Sequence, residues 1–220
     1  MRWLRLRGLL TANLVLFFVF LGGLVLTGHA QENSELADHG QPAESLSQYV
    51  GSSAFGEALF ENWESEFLQM GMYVLLTAYL VQKGSAESRP IDEAAPQDED
   101  PRLHRSDRKA PWPVRRGSAV VLKVYENSLA IAFGLVFLLS FWLHAATGAA
   151  SYSQEQAMHG GTAVTTWQYL GTSQFWYESF QNWQSEFLAV AAIVGGSIYL
   201  RQRRSAQSKP VHAPHSETGG

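Results

Sequence analysis

The chain has 220 residues, a formal net charge of -4 and no cysteine. The lack of cysteine excludes disulfides, thiolate metal sites and catalysis by a thiol. A chain of this length would suit one or two soluble domains, but its apolar residues are concentrated in four blocks, which indicates a membrane protein instead.

Basic residues occur in only three parts of the chain. No Lys or Arg lies between Arg7 and Lys83 or between Lys123 and Arg201, so all 16 fall in the N-terminus, the middle segment and the C-terminal tail. Loops rich in Lys and Arg remain in the cytoplasm. We therefore expect both termini and the middle segment to be cytoplasmic in a multi-pass protein.

The first apolar block covers residues 9–26 and follows three arginines, so it has the order of a signal peptide with Ala30 near a cleavage site. Its 18 residues exceed a usual signal core and approach the ~20 that span a bilayer. The repeat described below pairs it with residues 129–146, which lie mid-chain and cannot be a signal. We expect a retained transmembrane helix, followed by a polar extracytoplasmic loop from His29 to about Ser53.

A second helix is predicted from near Ala54 to about Gln82, because a Gly-Ser pair before an apolar segment is typical of a turn that delivers an N-cap. Its purely apolar part, residues 67–81, is short for a span. The corresponding helix in the second half is predicted from near Gln174 to Leu200. Residues 129–146 form the third of four predicted spans.

The connection from residue 83 to residue 120 is rich in Pro, Ala and charge, including Asp92 and Glu93, and is predicted to be a disordered cytoplasmic linker. Its basic half precedes the third span, so we expect contact with anionic lipid headgroups. The residues that would make this contact are Arg108, Lys109, Arg115 and Arg116. The tail, 205–220, is predicted to be disordered as well.

A nine-residue segment, here called the box, occurs twice. Phe-Glu-Asn-Trp-Glu-Ser-Glu-Phe-Leu at 60–68 returns as Phe-Gln-Asn-Trp-Gln-Ser-Glu-Phe-Leu at 180–188, a shift of 120 positions. At this shift, 17 of the 38 positions from Gln48 to Ser85 are identical. Each copy begins and ends inside, so the sequence predicts an all-α, four-helix transmembrane protein made of two parallel-repeat hairpins, 1–82 and 121–204, with pseudo-two-fold symmetry about the membrane normal.

The box supplies the candidate site. Within its first copy Asn62, Ser65, Glu66 and, beyond it, Gln69 have the spacing of one helix face. Glu66 and Glu186 are favoured because duplication keeps both, whereas Glu61 and Glu64 become glutamines. The candidate ion or packing site comprises the shared residues Asn62, Trp63, Ser65, Glu66, Asn182, Trp183, Ser185 and Glu186.

Three interpretations of these polar groups remain open. They hydrogen-bond across helices and hold the hairpins together, they form a proton or cation site within the membrane, or the glutamates lie in solvent. Hydrogen bonds that only position helices would tolerate Glu66→Gln, whereas a proton site would not.

Histidines give a further alternative. His39-Gly40 and His159-Gly160 match at the same shift, and the two histidines are candidate extracytoplasmic metal ligands. No tight ligand spacing such as His-x-x-x-His supports a metal, so no cofactor is predicted. The sequence also lacks a nucleophile elbow, a phosphate-binding glycine loop and a nucleic-acid signature.

The duplicated Asn-Trp-x-Ser-Glu-Phe signature resembles that of a family of small bacterial integral membrane proteins of unknown function. The resemblance covers most of the chain except the linker and tail, and it implies location in the bacterial cytoplasmic (inner) membrane but no activity. We expect a non-enzymatic structural or interaction protein, with a proton or cation conduit as the alternative and a metal-binding protein as the weaker one. A homodimer fits the small interior of four helices, and no nucleic-acid partner is expected.

Overall fold

The computed structural model describes residues 2–91 and 94–219, with side chains described from Leu6 onward. The predicted all-α class is confirmed, since the described ranges contain helices and turns but no strand. The α-helices are α1 Arg2–Asp38, α2 Leu46–Val50, α3 Ser53–Tyr79, α4 Trp112–Arg116, α5 Ala119–Glu126, α6 Ser128–Met158, α7 Thr166–Tyr169 and α8 Ser173–Tyr199.

Among the described residues, two helices are long and apolar enough to cross a membrane, namely Leu6–Asp38 within α1 and the whole of α6. Helices α3 and α8, of 27 residues each, have the length for a span at about 1.5 Å per residue. Their first halves, however, carry the polar residues of the box. Spanning by α3 and α8 therefore stays a prediction.

The two predicted N-caps are confirmed. The hydroxyl of Ser52 accepts a hydrogen bond from the backbone N–H of Phe55 at 3.2 Å, and that of Thr172 accepts one from Phe175 at 3.3 Å. Each bond satisfies one of the donors that a helix start leaves unpaired. As a result α3 and α8 begin one residue before the predicted positions.

The first apolar helix is longer than predicted. The expectation of a loop beginning at His29 is wrong for residues 29–38, because α1 continues to Asp38. Straight-chain polar residues are good helix formers, and the Gln31 amide donates to the Glu35 carboxylate one turn on, at 3.2 Å. The same holds in the second half, where α6 continues to Met158.

The chain divides into two compact units. One consists of residues 1–61 and 142–176, and the other of residues 62–141 and 177–220. Each unit therefore combines parts of both sequence repeats. The box residues from Asn62 onward lie in the second unit.

The first unit packs around two equivalent aromatic pairs. Tyr49 and Phe55 have ring centroids 5.6 Å apart, and Tyr169 and Phe175, both fully buried, have centroids 5.7 Å apart. Burial raises the pKa of Tyr49, and the charges of nearby Glu32 and Glu44 raise it further. Its phenol therefore stays protonated at neutral pH.

Hydrogen bonds in the first unit follow the same repeat. The Asn33 side chain accepts from the backbone N–H of Glu44 at 2.7 Å, and the Ser153 hydroxyl accepts from that of Val164 at 2.9 Å. These pairs are related by the shift of 120 positions. The duplication thus includes the hydrogen bond that joins each helix end to the segment that follows it.

A close approach at Gly148 gives a testable consequence. A Cβ atom there would lie 2.6 Å from Cε1 of Tyr169 and 3.0 Å from a carboxylate oxygen of Glu57. Because Tyr169 is fully buried, we expect Gly148→Ala to lower the free energy of unfolding by about 1–3 kcal/mol through overpacking.

Gly134 in the same helix is the matched control, since a Cβ there meets nothing within 4 Å. Gly134→Ala is expected to be neutral, or to stabilise by up to about 1 kcal/mol, because alanine is the better helix former. Thermal unfolding of both variants in detergent makes the comparison. An equal effect of the two substitutions would contradict the packing described for Tyr169.

In the second unit the repeat continues beyond the predicted hairpin ends at 82 and 204. The backbone N–H of Gln82 donates to the hydroxyl of Ser88 at 2.8 Å, and that of Gln202 donates to Ser208 at 2.9 Å. The same serine-closed turn therefore occurs at both positions related by the shift of 120.

The tail folds back on itself. Lys209 is 1% exposed, and its ammonium group donates to the carbonyl oxygens of Pro214, His215 and Glu217 at 3.2, 3.1 and 2.8 Å. In the linker, Asp92 and Glu93 lie outside the described residues, while the short helix α4 forms within it and α5 begins at its end. Disorder of the linker and tail stays a prediction.

Candidate functional site

The best-buried polar contact of the box joins its two copies. Glu64 is fully buried, and its carboxylate accepts a hydrogen bond from the indole N–H of Trp183 at 3.0 Å. Helix α3 supplies the carboxylate and helix α8 supplies the indole. A buried carboxylate needs hydrogen-bond donors in place of water, and this indole is one of them.

A second hydrogen bond joins the same two helices. The side-chain amide of Gln69 donates to the backbone carbonyl of Glu186 at 3.0 Å, and Gln69 is 8% exposed. The two bonds start from residues five positions apart on α3, so they fix α8 against more than one helical turn of it. An apolar side chain in place of Glu64 or Gln69 would remove the corresponding hydrogen bond.

The predicted face of the first copy is divided in the structure. Ser65 and Gln69 are buried, whereas Asn62 and Glu66 are exposed, as is Met70 one turn further. At 100° per residue, positions 62, 66 and 70 lie together on one side of the helix. The four predicted residues thus span the boundary between the packed and the exposed surface of α3.

The second copy differs in burial. Ser185 donates to the carbonyl of Asn182 at 2.8 Å, as Ser65 does to Asn62 at 2.9 Å, but Ser185 is exposed while Ser65 is buried. Gln184, the counterpart of Glu64, is exposed as well. The duplicated sequence therefore occupies two unequal environments, and the buried carboxylate occurs only in the first.

Glu66 and Glu186, the two favoured glutamates, lie in the second unit. The charge of Glu66 acts on the carboxylate of Glu186, with Glu66 exposed and Glu186 half-buried. The structure does not enclose Glu66.

Aromatic rings surround the indoles of the box. Trp63 contacts Phe67 edge-on with ring centroids 6.4 Å apart, and Trp183 lies 6.4 Å from Phe137 and 5.6 Å from Phe180. Edge-to-face pairs of this kind contribute about 0.5–1.5 kcal/mol each beyond the burial of their area. They hold the Trp183 ring in the position from which it donates to Glu64.

Sequence reasoning missed Glu64. The repeat disfavours it because the second copy has glutamine at that position, yet it is the fully buried acid of the box. The bond to Trp183 pairs different positions of the two copies, which periodicity within one helix cannot reveal. The change from Glu to Gln was the available signal, since it marks where the two environments differ.

The two histidine candidates for a metal lie in the first unit. His39 follows α1 and His159 follows α6, and their ring centroids are 5.8 Å apart. Among the residues that the structure describes, no group of three or more His, Asp or Glu side chains is placed to hold a metal ion.

Comparison with known proteins identifies the family. The family model described as "Domain of unknown function (DUF6766)" matches residues 1–220, and the chain belongs to this family. Neither the curated proteins nor the solved structures gave a match. Membership of this family therefore does not indicate an activity.

Proposed function

We propose that this member of the DUF6766 family is a non-enzymatic membrane protein of the bacterial cytoplasmic membrane, with four spans and both termini in the cytoplasm. Two apolar helices of spanning length support the membrane location. The confinement of all 16 basic residues to three segments supports the orientation. The shift-120 repeat supports two parallel hairpins related by a pseudo-two-fold axis along the membrane normal.

The role of the box in this proposal is to hold helices together. The observation that carries it is the hydrogen bond from the Trp183 indole to the fully buried Glu64. Polar side chains that bond across helices stabilise membrane proteins by ~0.6 kcal/mol on average and up to ~1.7. A box used in this way makes a rigid structural or interaction protein.

Basic residues of the linker fit a contact with lipid headgroups. Arg108, Lys109, Arg115 and Arg116 are all exposed. Each is expected to contribute about 1 kcal/mol of attraction to an anionic leaflet. Helix α1 exposes apolar side chains such as Leu10 and Phe18, each 64% exposed, to the bilayer or to the second copy of a homodimer.

A proton or cation conduit is the second candidate. The observation that favours it is the electrostatic interaction between Glu66 and Glu186, two carboxylates on helices proposed to span the membrane. Against it stands the exposure of Glu66 on the outside of α3.

Flux measurements separate the two candidates. Liposomes with the purified protein are compared with empty liposomes for proton and monovalent-cation flux, and with liposomes carrying the Glu66→Gln, Glu186→Gln double variant. The Glu61→Gln variant, whose change already exists in the second copy, serves as the control. We expect equal flux in all four samples. Flux that requires Glu66 and Glu186 but not Glu61 would replace the structural role with the conduit.

A further inference from the structure

Two helices of the first unit end in the same way, with a histidine and a glycine. Gly40 and Gly160 have φ of 67° and 74°, the left-handed conformation that ends a helix. The residues after them close the turn, since the N–H of Gln41 donates to Leu36 at 2.8 Å. Each turn fixes the backbone of the histidine that precedes its glycine.

Hydrogen bonds define which ring nitrogen of each histidine is available. Nδ1 of His39 lies 2.9 Å from the carbonyl oxygen of Glu35, and Nδ1 of His159 lies 2.9 Å from that of Glu155. A carbonyl oxygen only accepts, so Nδ1 carries the proton in both rings. In the neutral imidazole the lone pair is then on Nε2. Metal-bound histidines have this arrangement, with the other ring N–H donated to a carbonyl or carboxylate.

The distance between the rings suits a shared ion. The centroids of His39 and His159 are 5.8 Å apart with an interplanar angle of 80°. With metal–nitrogen bonds of about 2.0–2.1 Å, a tetrahedral ion holds the centroids of two imidazole ligands roughly 5.2 Å apart. The observed separation exceeds this by about half an ångström, a difference that small side-chain rotations remove. Both histidines are exposed, so an ion reaches them from solution.

We propose that His39 and His159 form a two-histidine site for a divalent transition-metal ion, with Nε2 of each ring as ligand. Imidazole suits Zn²⁺, Ni²⁺ and Cu²⁺, and Cu²⁺ binds most tightly in the general order of affinities. Since the described residues place no third His, Asp or Glu with this pair, water fills the remaining positions. The ion is therefore exchangeable, unlike a structural zinc with four protein ligands.

The duplication explains how such a site arises. Neither hairpin carries two histidines at ligand spacing, but each contributes one from its own His-Gly turn. A metal ion at this site would join the end of α1 to the end of α6. The site is independent of the proposed structural role of the box, since the bonded residues Glu64 and Trp183 lie in the other unit.

Copper titration of the untagged, full-length protein in detergent tests the site. Isothermal titration calorimetry gives affinity and stoichiometry, and electron paramagnetic resonance detects nitrogen ligands on Cu²⁺. We expect one ion per chain with two nitrogen ligands. His39→Ala and His159→Ala are each expected to weaken binding more than about tenfold, since loss of groups outside the first coordination sphere already costs 10–100-fold.

His104→Ala and His212→Ala are the matched controls, because they remove exposed histidines from the linker and tail. Both are expected to leave the affinity unchanged. His39→Gln, which keeps a polar side chain, checks that the loss follows from the missing imidazole. The proposal is overturned if the wild type binds no Cu²⁺, or if the control variants weaken binding as much as His39→Ala and His159→Ala do.

Discussion

Replacing Trp183 with phenylalanine is expected to lower the free energy of unfolding in detergent by about 1–3 kcal/mol, the usual cost of taking a hydrogen-bond partner from a buried polar group. The substitution keeps an aromatic ring against Phe137 and Phe180 but removes the indole N–H that donates to Glu64 at 3.0 Å. Because Glu64 is fully buried, water cannot replace the lost donor. Thermal or denaturant unfolding in a mild detergent measures the change.

A double-mutant cycle assigns that loss to the pair. In a Glu64→Met background the carboxylate is absent, so Trp183→Phe is expected to cost less, with a coupling energy of about 0.6–1.7 kcal/mol between the two positions. Trp176→Phe is the control in the same helix, since it removes an exposed indole bond to the carbonyl of Leu170. Additive effects of the two substitutions would show that Trp183 and Glu64 do not act together.

Much of the local structure follows from short-range sequence signals. Ser52 and Thr172, each after a glycine, cap α3 and α8 as predicted. Helix starts depend on a few neighbouring side chains and backbone donors, which a single segment contains. The repeat itself is visible in the sequence, and the contacts of Tyr49 with Phe55 and of Tyr169 with Phe175 occur at positions related by the same shift.

Other features depend on the neighbouring helix against which each helix packs. The spacing of Asn62, Ser65 and Glu66 indicates one face, but the packed surface of α3 begins between them. The buried position of Glu64 results from α8, not from its own helix. The extension of α1 to Asp38 has a different reason, because the polar composition of residues 29–38 favours a loop while their straight-chain side chains also suit a helix.

The contact between His39 and His159 also depends on how distant segments pack, which no single segment of the sequence shows. Each His-Gly turn is readable in the sequence, yet the 5.8 Å between the rings results from how two distant helix ends meet. A motif search for ligands within one segment cannot find such a pair. Internal duplication is the useful clue, since equivalent positions of two parallel repeats approach each other near a pseudo-symmetry axis.

A test of the orientation of the chain has a yes-or-no outcome at each position, because each loop residue lies either on the outer or on the cytoplasmic side of the membrane. The natural absence of cysteine allows single exposed positions to be labelled without removing any native residue. Ser47, before α3, and Thr162, before α8, are predicted to face outward, whereas Ser106 in the linker and Ser216 in the tail are predicted to face the cytoplasm.

Labelling of single-cysteine variants with a membrane-impermeant maleimide, in intact cells and after permeabilisation, is the measurement that tests the four-span arrangement most directly. We predict that Ser47→Cys and Thr162→Cys react in intact cells, and that Ser106→Cys and Ser216→Cys react only after permeabilisation. If α1 and α6 alone cross the membrane, position 106 lies outside and position 162 inside. Reaction of Ser106→Cys in intact cells together with protection of Thr162→Cys would therefore contradict the two parallel hairpins.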